Sequence, residues 1–233
     1  MKVLFTTNNK SKKDFYETGF KMHNNDISFV SINDPSLSDK VKFEVTNDGE
    51  ALNDKDLDMV MVSVNESLYI DGLTDDKQPG VNYKYDYIKG EDGSITKSLL
   101  NDNDMVSKYQ GIVEGLGGMA NAKFIDNVTI SYKGNVIKNF DVEKSAVFTS
   151  NASKVIKKGQ PLNSITLIPE FGDIHYSECD DAEEELLFET RDQKVLKKIA
   201  KEVSDIELFK VNENINDNKN STNDFLGNEV SNN

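Results

Sequence analysis

The sequence predicts an α/β protein built on a mixed β-sheet. Three observations carry that expectation. Residues 2–32 read as strand, helix, strand; residues 123–148 read as a long antiparallel ribbon; residues 182–203 read as a helix with acids first and bases last. A strand–helix–strand unit of this length sets its two strands parallel through a crossover, whereas a ribbon sets its strands antiparallel. Together they give one mixed sheet flanked by helices.

Each element has a local reason. KVLFTT (2–7) is short, apolar and β-rich, as a buried strand is. SKKDFYETGFKM (11–22) has helical character that Gly19 weakens. ISFVSI (27–32) is a second strand, and VKFEV (41–45), MVMVSV (59–64) and SLYIDGL (67–73) are further strands, closed by a turn at Pro79-Gly80. In DNDMVSKYQGIVE (102–114), Met105, Tyr109 and Ile112 recur at helical spacing. The ribbon comprises FIDNVTISY, a turn at Lys133-Gly134-Asn135, then VIKNF and SAVF. SITLIP (164–169) adds another strand. In the helix over 182–203, the order of charges suits the helix dipole.

Composition narrows the class. The chain has 233 residues, of which 36% are hydrophobic and 29% charged. Residues 1–210 are expected to form a single domain. From Val211 to Asn233, nine of 23 residues are Asn and few are large and apolar, so this tail is expected to stay disordered. A net charge of −14 argues against a duplex nucleic acid partner, which calls for a basic face. It leaves room for a small basic pocket. No apolar run reaches the ~18 residues of a membrane span, and the polar stretch Thr6 to Lys13 does not suit a signal peptide. Cys179 is the one cysteine, which excludes an intrachain disulfide and fits a cytoplasmic protein. With two histidines, His23 and His175, a Cys/His zinc site is not expected.

The stretch KVLFTTNNKSKKDF (2–15) raises the first chemical possibility. A polar loop between a first strand and a helix lies where α/β proteins bind ligands. Helix-start amides, Thr and Asn side chains and a lysine there can cradle an anion. An ordinary capping loop is the other reading of the same residues. GLGGMA (115–120) fits a dinucleotide fingerprint by letter, yet it follows a helix rather than a strand, so it reads as a helix-ending glycine cluster. ECDDAEEE (178–185) reads as a solvated helix start before it reads as a cation site. No Ser-His-Asp set or nucleophile elbow is present.

The stretch Thr7-Asn8-Asn9-Lys10-Ser11-Lys12 resembles the Thr-x-Asn-x-x-Lys signature of the non-canonical purine NTP pyrophosphatases, the inosine triphosphate pyrophosphatase or Ham1-like family. Residues 60–85 resemble that family's central segment, with Leu68, Ile70, Leu73, Pro79, Gly80, Lys84 and Tyr85 in place. Ala122-x-Phe124 is a weaker match, and Glu178 and Arg191 are spaced like the family's Glu and its Ser-His-Arg arginine. The resemblance implies a long mixed sheet in two lobes flanked by helices, with the nucleotide in the cleft between. It implies hydrolysis of ITP- or XTP-type triphosphates to monophosphate and pyrophosphate, with Mg²⁺ or Mn²⁺, by a homodimer. Thr7, Asn9 and Lys12 would hold the triphosphate, Lys84 and Tyr85 would line the base and phosphate side, and Arg191 would reach the purine 6-oxo group.

The sequence also departs from that pattern. The family's paired acids align with Val64 and Asn65, its Asp-Pro with Asn163-Ser164, and its histidine with Thr190. Asparagine is no general base and a poor Mg²⁺ ligand beside a carboxylate. Glu66, one place beyond, is the candidate both for catalysis and for holding metal, with Lys12 beside it; Glu50 and Asp54 are the other nearby acids. Three outcomes stay open: a divergent pyrophosphatase, a relative that binds nucleotide without cleaving it, and an unrelated interaction protein.

Overall fold

The computed structural model describes residues 2–6, 10–23, 28–31, 42–46, 49–53, 59–89, 92–189, 193 and 196–205. A seven-stranded mixed sheet organises them. In chain order its strands are β1 (Lys2–Phe5), β2 (Ser28–Ser31), β5 (Val60–Ile70), β8 (Met119–Tyr132), β9 (Asn135–Thr149), β10 (Thr166–Ile168) and β11 (Ile174–His175). Their order across the sheet is β11-β10-β9-β8-β5-β1-β2. β1 lies between β2 and β5 and is parallel to both, whereas the remaining pairs are antiparallel. The crossover between β1 and β2 runs through helix α1 (Lys10–His23), as the first thirty residues predict. Two small hairpins stand apart, β3 (Lys42–Thr46) with β4 (Gly49–Asn53) and β6 (Tyr85–Lys89) with β7 (Ile95–Leu99).

Two long strands set the architecture. β8 has 14 residues and β9 has 15, and at 3.2–3.4 Å per residue each spans roughly 45–50 Å. The two-residue turn Lys133-Gly134, with φ of 50° and 77°, joins them; two left-handed residues in sequence match the twist of a hairpin. A strand of that length outruns a single small core, so its apolar face is covered twice. In the first lobe Val62, Val128 and Ile130 pack against β1, α1 and the helical residues 196–205 through Phe5, Phe20 and Leu196. In the second, Leu68, Ile70, Ala122 and Phe148 pack against helix α2 (Asp102–Gly115) through Val106, Tyr109 and Val113.

Several expectations change in the structure. The separate strands at 59–64 and 67–73 are one continuous strand, β5, because an unbroken ladder with β8 runs from Val60↔Tyr132 to Ile70↔Ala122; residues 71–73 form the turn that follows. VIKNF and SAVF likewise merge into β9. The strand expected at 164–169 is shorter, since Pro161–Ser164 form a 3-10 turn first. The long helix at 182–203 begins as α3 (Asp181–Leu187), loosens into a π turn at 188–189 and is helical again over 196–205. GLGGMA is a helix end: the amide of Gly118 donates to the Val113 carbonyl and that of Gly117 to Glu114. Both glycines have positive φ, 101° and 94°, which a dual-bonded helix C-terminus demands. ECDDAEEE is the start of α3, with a reciprocal capping box between Asp180 and Glu183. The proposed tail, 211–233, lies outside the described residues.

Gly19 costs α1 some propensity but admits a neighbour. A Cβ built there would sit 2.2 Å from Leu196 Cδ1. Gly111, exposed on α2, has nothing within 4 Å of such a Cβ. The two glycine-to-alanine changes are therefore expected to act with opposite signs in urea unfolding. Gly19→Ala should destabilise by about 1–3 kcal/mol through overpacking, and Gly111→Ala should stabilise by about 0.5–1 kcal/mol through helix propensity.

Candidate functional site

Between the two cores the apolar face of the sheet is interrupted by charge. Along β5 the residues on that face are Val60, Val62, Val64, Glu66, Leu68 and Ile70; along β8 they include Ala122, Phe124, Asp126, Val128 and Ile130; along β9 they are Phe140, Val142, Lys144, Ala146 and Phe148. One charged side chain per strand falls at the same level. Glu66 and Asp126 are direct cross-strand partners, and Lys144 stands diagonally across from Asp126, opposite Phe124.

Like charges directly opposite on a sheet repel, so a cation must lie between them. The Lys144 ammonium does, 2.9 Å from Asp126 Oδ2 and 3.4 Å from Glu66 Oε2. Asp126 is 1% exposed and also accepts a hydrogen bond of 3.1 Å from the Tyr16 hydroxyl. Glu66 accepts a short hydrogen bond from the Tyr83 hydroxyl, and Lys84 Nζ lies 3.7 Å from its other face at Oε1. The seam thus holds two carboxylates, two ammonium groups and two phenols.

The loop after β5 is anchored so that Tyr83 and Lys84 reach this point. Leu68 and Gly80 exchange both backbone hydrogen bonds, at 3.1 and 2.9 Å. The Gln78 side chain closes the loop by bonding both backbone groups of Ile70 and the Leu73 carbonyl. From α2, Tyr109 donates to the Tyr83 carbonyl at 2.7 Å and Lys108 to the Tyr85 carbonyl at 2.8 Å. On this edge β1 pairs with β5 only as far as Val62, where the Thr6 amide donates to its carbonyl. From there to Leu68 no described strand covers the edge, and β1 ends beside that gap.

The sequence-derived candidates fare differently. Glu66 sits in the middle of a strand rather than at a turn, on the same face as Val64, while Asn65 is exposed on the other face. Val64 packs against the first core, so the positions aligned with the family's acids are a core residue and a surface residue. Lys84 meets Glu66. Tyr85 instead pairs with Leu99 in the β6–β7 hairpin, with Lys97 4.1 Å above its ring. Lys12 lies in the first turn of α1 and only its backbone is described; Thr7, Asn9 and Arg191 lie outside the described residues. Glu178 accepts from Ser153 at 2.6 Å and lies 3.6 Å from His175 Nδ1. Sequence reasoning overlooked Asp126, Lys144 and Tyr83. The signal was there: each charged residue is a single break in an otherwise apolar alternation.

A neighbouring cleft of about 520 Å³ runs between α1 and α3, lined by Phe15, Tyr176 and Phe188 and by Glu184, Glu185 and Glu189. Its glutamates repel phosphate, whereas its aromatic walls offer flat apolar surface.

Burial, reinforced by the charge of Glu66, pushes the Tyr83 phenol far above its ordinary 10.0. Burial, with the charge of Asp86, does the same for Tyr109. Both stay protonated in the folded chain where an unfolded tyrosine ionises. Their contribution to stability is thus complete below pH 10 and lost as pH rises above it. Tyr83 and Tyr109 should resist ionisation in an absorbance titration until the fold is lost, and the urea midpoint should fall above that pH. Eight tyrosines ionising together in the folded state would contradict the burial of the seam.

No protein-family model matches the sequence, and no curated protein sequence does. Solved structures match through the fold. The Ham1 protein of Coxiella burnetii aligns with a TM-score of 0.57 at 14% identity, over 88% of this chain and 99% of its own. The Ham1 protein of Staphylococcus aureus aligns at 0.52 and 16% identity, over 79% and 89%. A nucleoside-triphosphatase / dITP/XTP pyrophosphatase from Mycobacterium abscessus aligns at 0.52 and 16%, over 84% and 97%. The resemblance read from residues 7–12 and 60–85 is matched by the three-dimensional likeness, and the chain is a divergent protein of the Ham1 fold.

Proposed function

We propose that this chain binds purine nucleoside triphosphates at the seam between its lobes and hydrolyses ITP- or XTP-type substrates to monophosphate and pyrophosphate. The observation that carries the reading is the cluster of Glu66, Lys84, Lys144 and Tyr83 at the sheet's midpoint, beside the gap where β1 ends. Residues 1–210 would act as one unit, and the resemblance adds a homodimer. The fold shared with a protein named as a dITP/XTP pyrophosphatase supports the substrate class.

In this reading Thr7, Asn9 and Lys12 hold the phosphates from the loop after β1, with the α1 amides behind them. Lys84, 40% exposed at its side chain, turns from Glu66 to an incoming phosphate. That movement removes one of the cations holding the Glu66 charge and readies it to take a proton from water. The water oxygen bonds to phosphorus as the bond to the pyrophosphate oxygen breaks. Tyr85 lines the approach from the hairpin side. Arg191 donates to the 6-oxo group of a keto purine, a contact that leaves the adenine amino group badly paired.

Mg²⁺, with Glu66 as its ligand, is the cofactor the resemblance implies. It requires oxygen ligands at about 2.0–2.1 Å in octahedral array. Here the Lys144 ammonium stands in that gap, and among the described residues no third His, Cys, Asp or Glu joins the pair. The described residues do not fit the ion, and the proposed steps use the chain's own cations. Val64 in the core and Asn65 on the surface favour a second reading, nucleotide binding without turnover.

A pyrophosphate-release screen over nucleoside triphosphates, with Mg²⁺, Mn²⁺ or EDTA, separates the readings. Turnover that falls by about 10²-fold or more in Glu66→Gln supports the general base. ITP bound without turnover supports the second reading, and neither binding nor turnover removes both. Lys12→Ala should weaken ITP binding by about 1.5–3 kcal/mol, the worth of one charge-assisted contact, with an unchanged near-ultraviolet circular dichroism spectrum. Unchanged affinity in calorimetry would take Lys12 out of the site.

A further inference from the structure

We infer that Lys144 is a built-in substitute for a divalent cation, and that its ammonium excludes metal from the seam and makes phosphate recognition there metal-independent. The second half rests on the proposed nucleotide site; the first half stands without it.

The geometry is that of a cation site with the cation covalently attached. Two carboxylates face each other across neighbouring strands, Glu66 against Asp126. One positive group lies within hydrogen-bonding reach of an oxygen from each, at 2.9 and 3.4 Å. A phenol also holds each carboxylate: Tyr83 donates to the Glu66 oxygen that Lys144 leaves, and Tyr16 donates to the same Asp126 oxygen that Lys144 meets. Such donors favour the charged form of a carboxylate and fix its direction.

The charge balance points the same way. Among the described residues, two ammonium groups, Lys144 and Lys84, face the two carboxylates. Lys144 is the fixed half: its stem runs on the buried face of β9 between Val142 and Ala146, and it touches both acids. Lys84 is the movable half: its side chain is 40% exposed and its ammonium lies 3.7 Å from Glu66. A metal ion entering between the acids would have to expel an ammonium tethered by a strand backbone. A tethered cation loses far less translational freedom on binding than a free one, so the internal competitor wins at ordinary metal concentrations.

The test uses Mn²⁺ alone, followed by the electron paramagnetic resonance signal of the free ion. Wild type is expected to take up no ion that depends on Glu66. Lys144→Met, which keeps the apolar stem and removes the charge, is expected to take up one ion per chain, bound at least about tenfold more tightly, a gain of some 1.4 kcal/mol. The double variant Glu66→Gln, Lys144→Met should lose that ion again, which separates it from weak uptake by surface acids. Lys144→Gln repeats the measurement should the methionine variant fail to fold. Wild type binding an ion that Glu66→Gln abolishes would overturn the inference, and so would folded Lys144 variants that gain none. A second arm measures ITP affinity of wild type with EDTA and with Mg²⁺. Equal affinities support metal-independent recognition, and a strong Mg²⁺ requirement overturns it. If ITP is not bound in either condition the proposed nucleotide site falls, and the Mn²⁺ arm still decides the role of Lys144.

Discussion

An ammonium group held between two carboxylates on the inner face of a sheet is the constraint on which the middle of this molecule depends. Glu66 and Asp126 repel each other across β5 and β8, and Asp126 is almost wholly removed from water. Removing one partner of a buried ion set costs about 3–5 kcal/mol. Lys144 reconciles them, and the surrounding structure is arranged to keep it there. α1 delivers Tyr16, the loop after β5 delivers Tyr83 and Lys84, and α2 holds that loop by two side-chain-to-backbone bonds.

Strand length explains why such a seam exists. The hairpin of β8 and β9 is too long for one cover of helices, so two apolar clusters form along it. A boundary between two cores is where a sheet face can carry charge, because neither cluster has to enclose it fully. The parallel strand β1 ends at that boundary and sends its loop toward α1. The charged seam and the end of β1 therefore share one cause, the division of a long sheet into two covered halves.

Two of the departures from the Ham1 pattern fall at this place. A valine and an asparagine stand where the family's paired acids align, and they have become a core contact and a surface residue. A different carboxylate pair, drawn from two strands instead of consecutive positions on one, occupies the buried face, already neutralised from within. The fold has been kept while the electrostatics of its cleft have been rebuilt. A shared architecture can thus carry a different site chemistry.

The sequence by itself determined the α/β class, the parallel β1–α1–β2 unit, the long ribbon, the helix end at the glycine cluster and the acidic start of α3. All of these rest on short-range rules of periodicity, turn stereochemistry and capping. It also pointed to Glu66, one place beyond the positions aligned with the family's acids. Asp126 and Lys144 were visible only as breaks in two separate apolar patterns, and nothing local says that those breaks meet. Register across three strands decided that, because a shift of one residue would turn either side chain to the opposite face. Tertiary structure also decided that β5 is one strand and that Gly19 is there to admit Leu196. Pairing and packing between distant segments fix what propensity along one segment leaves open.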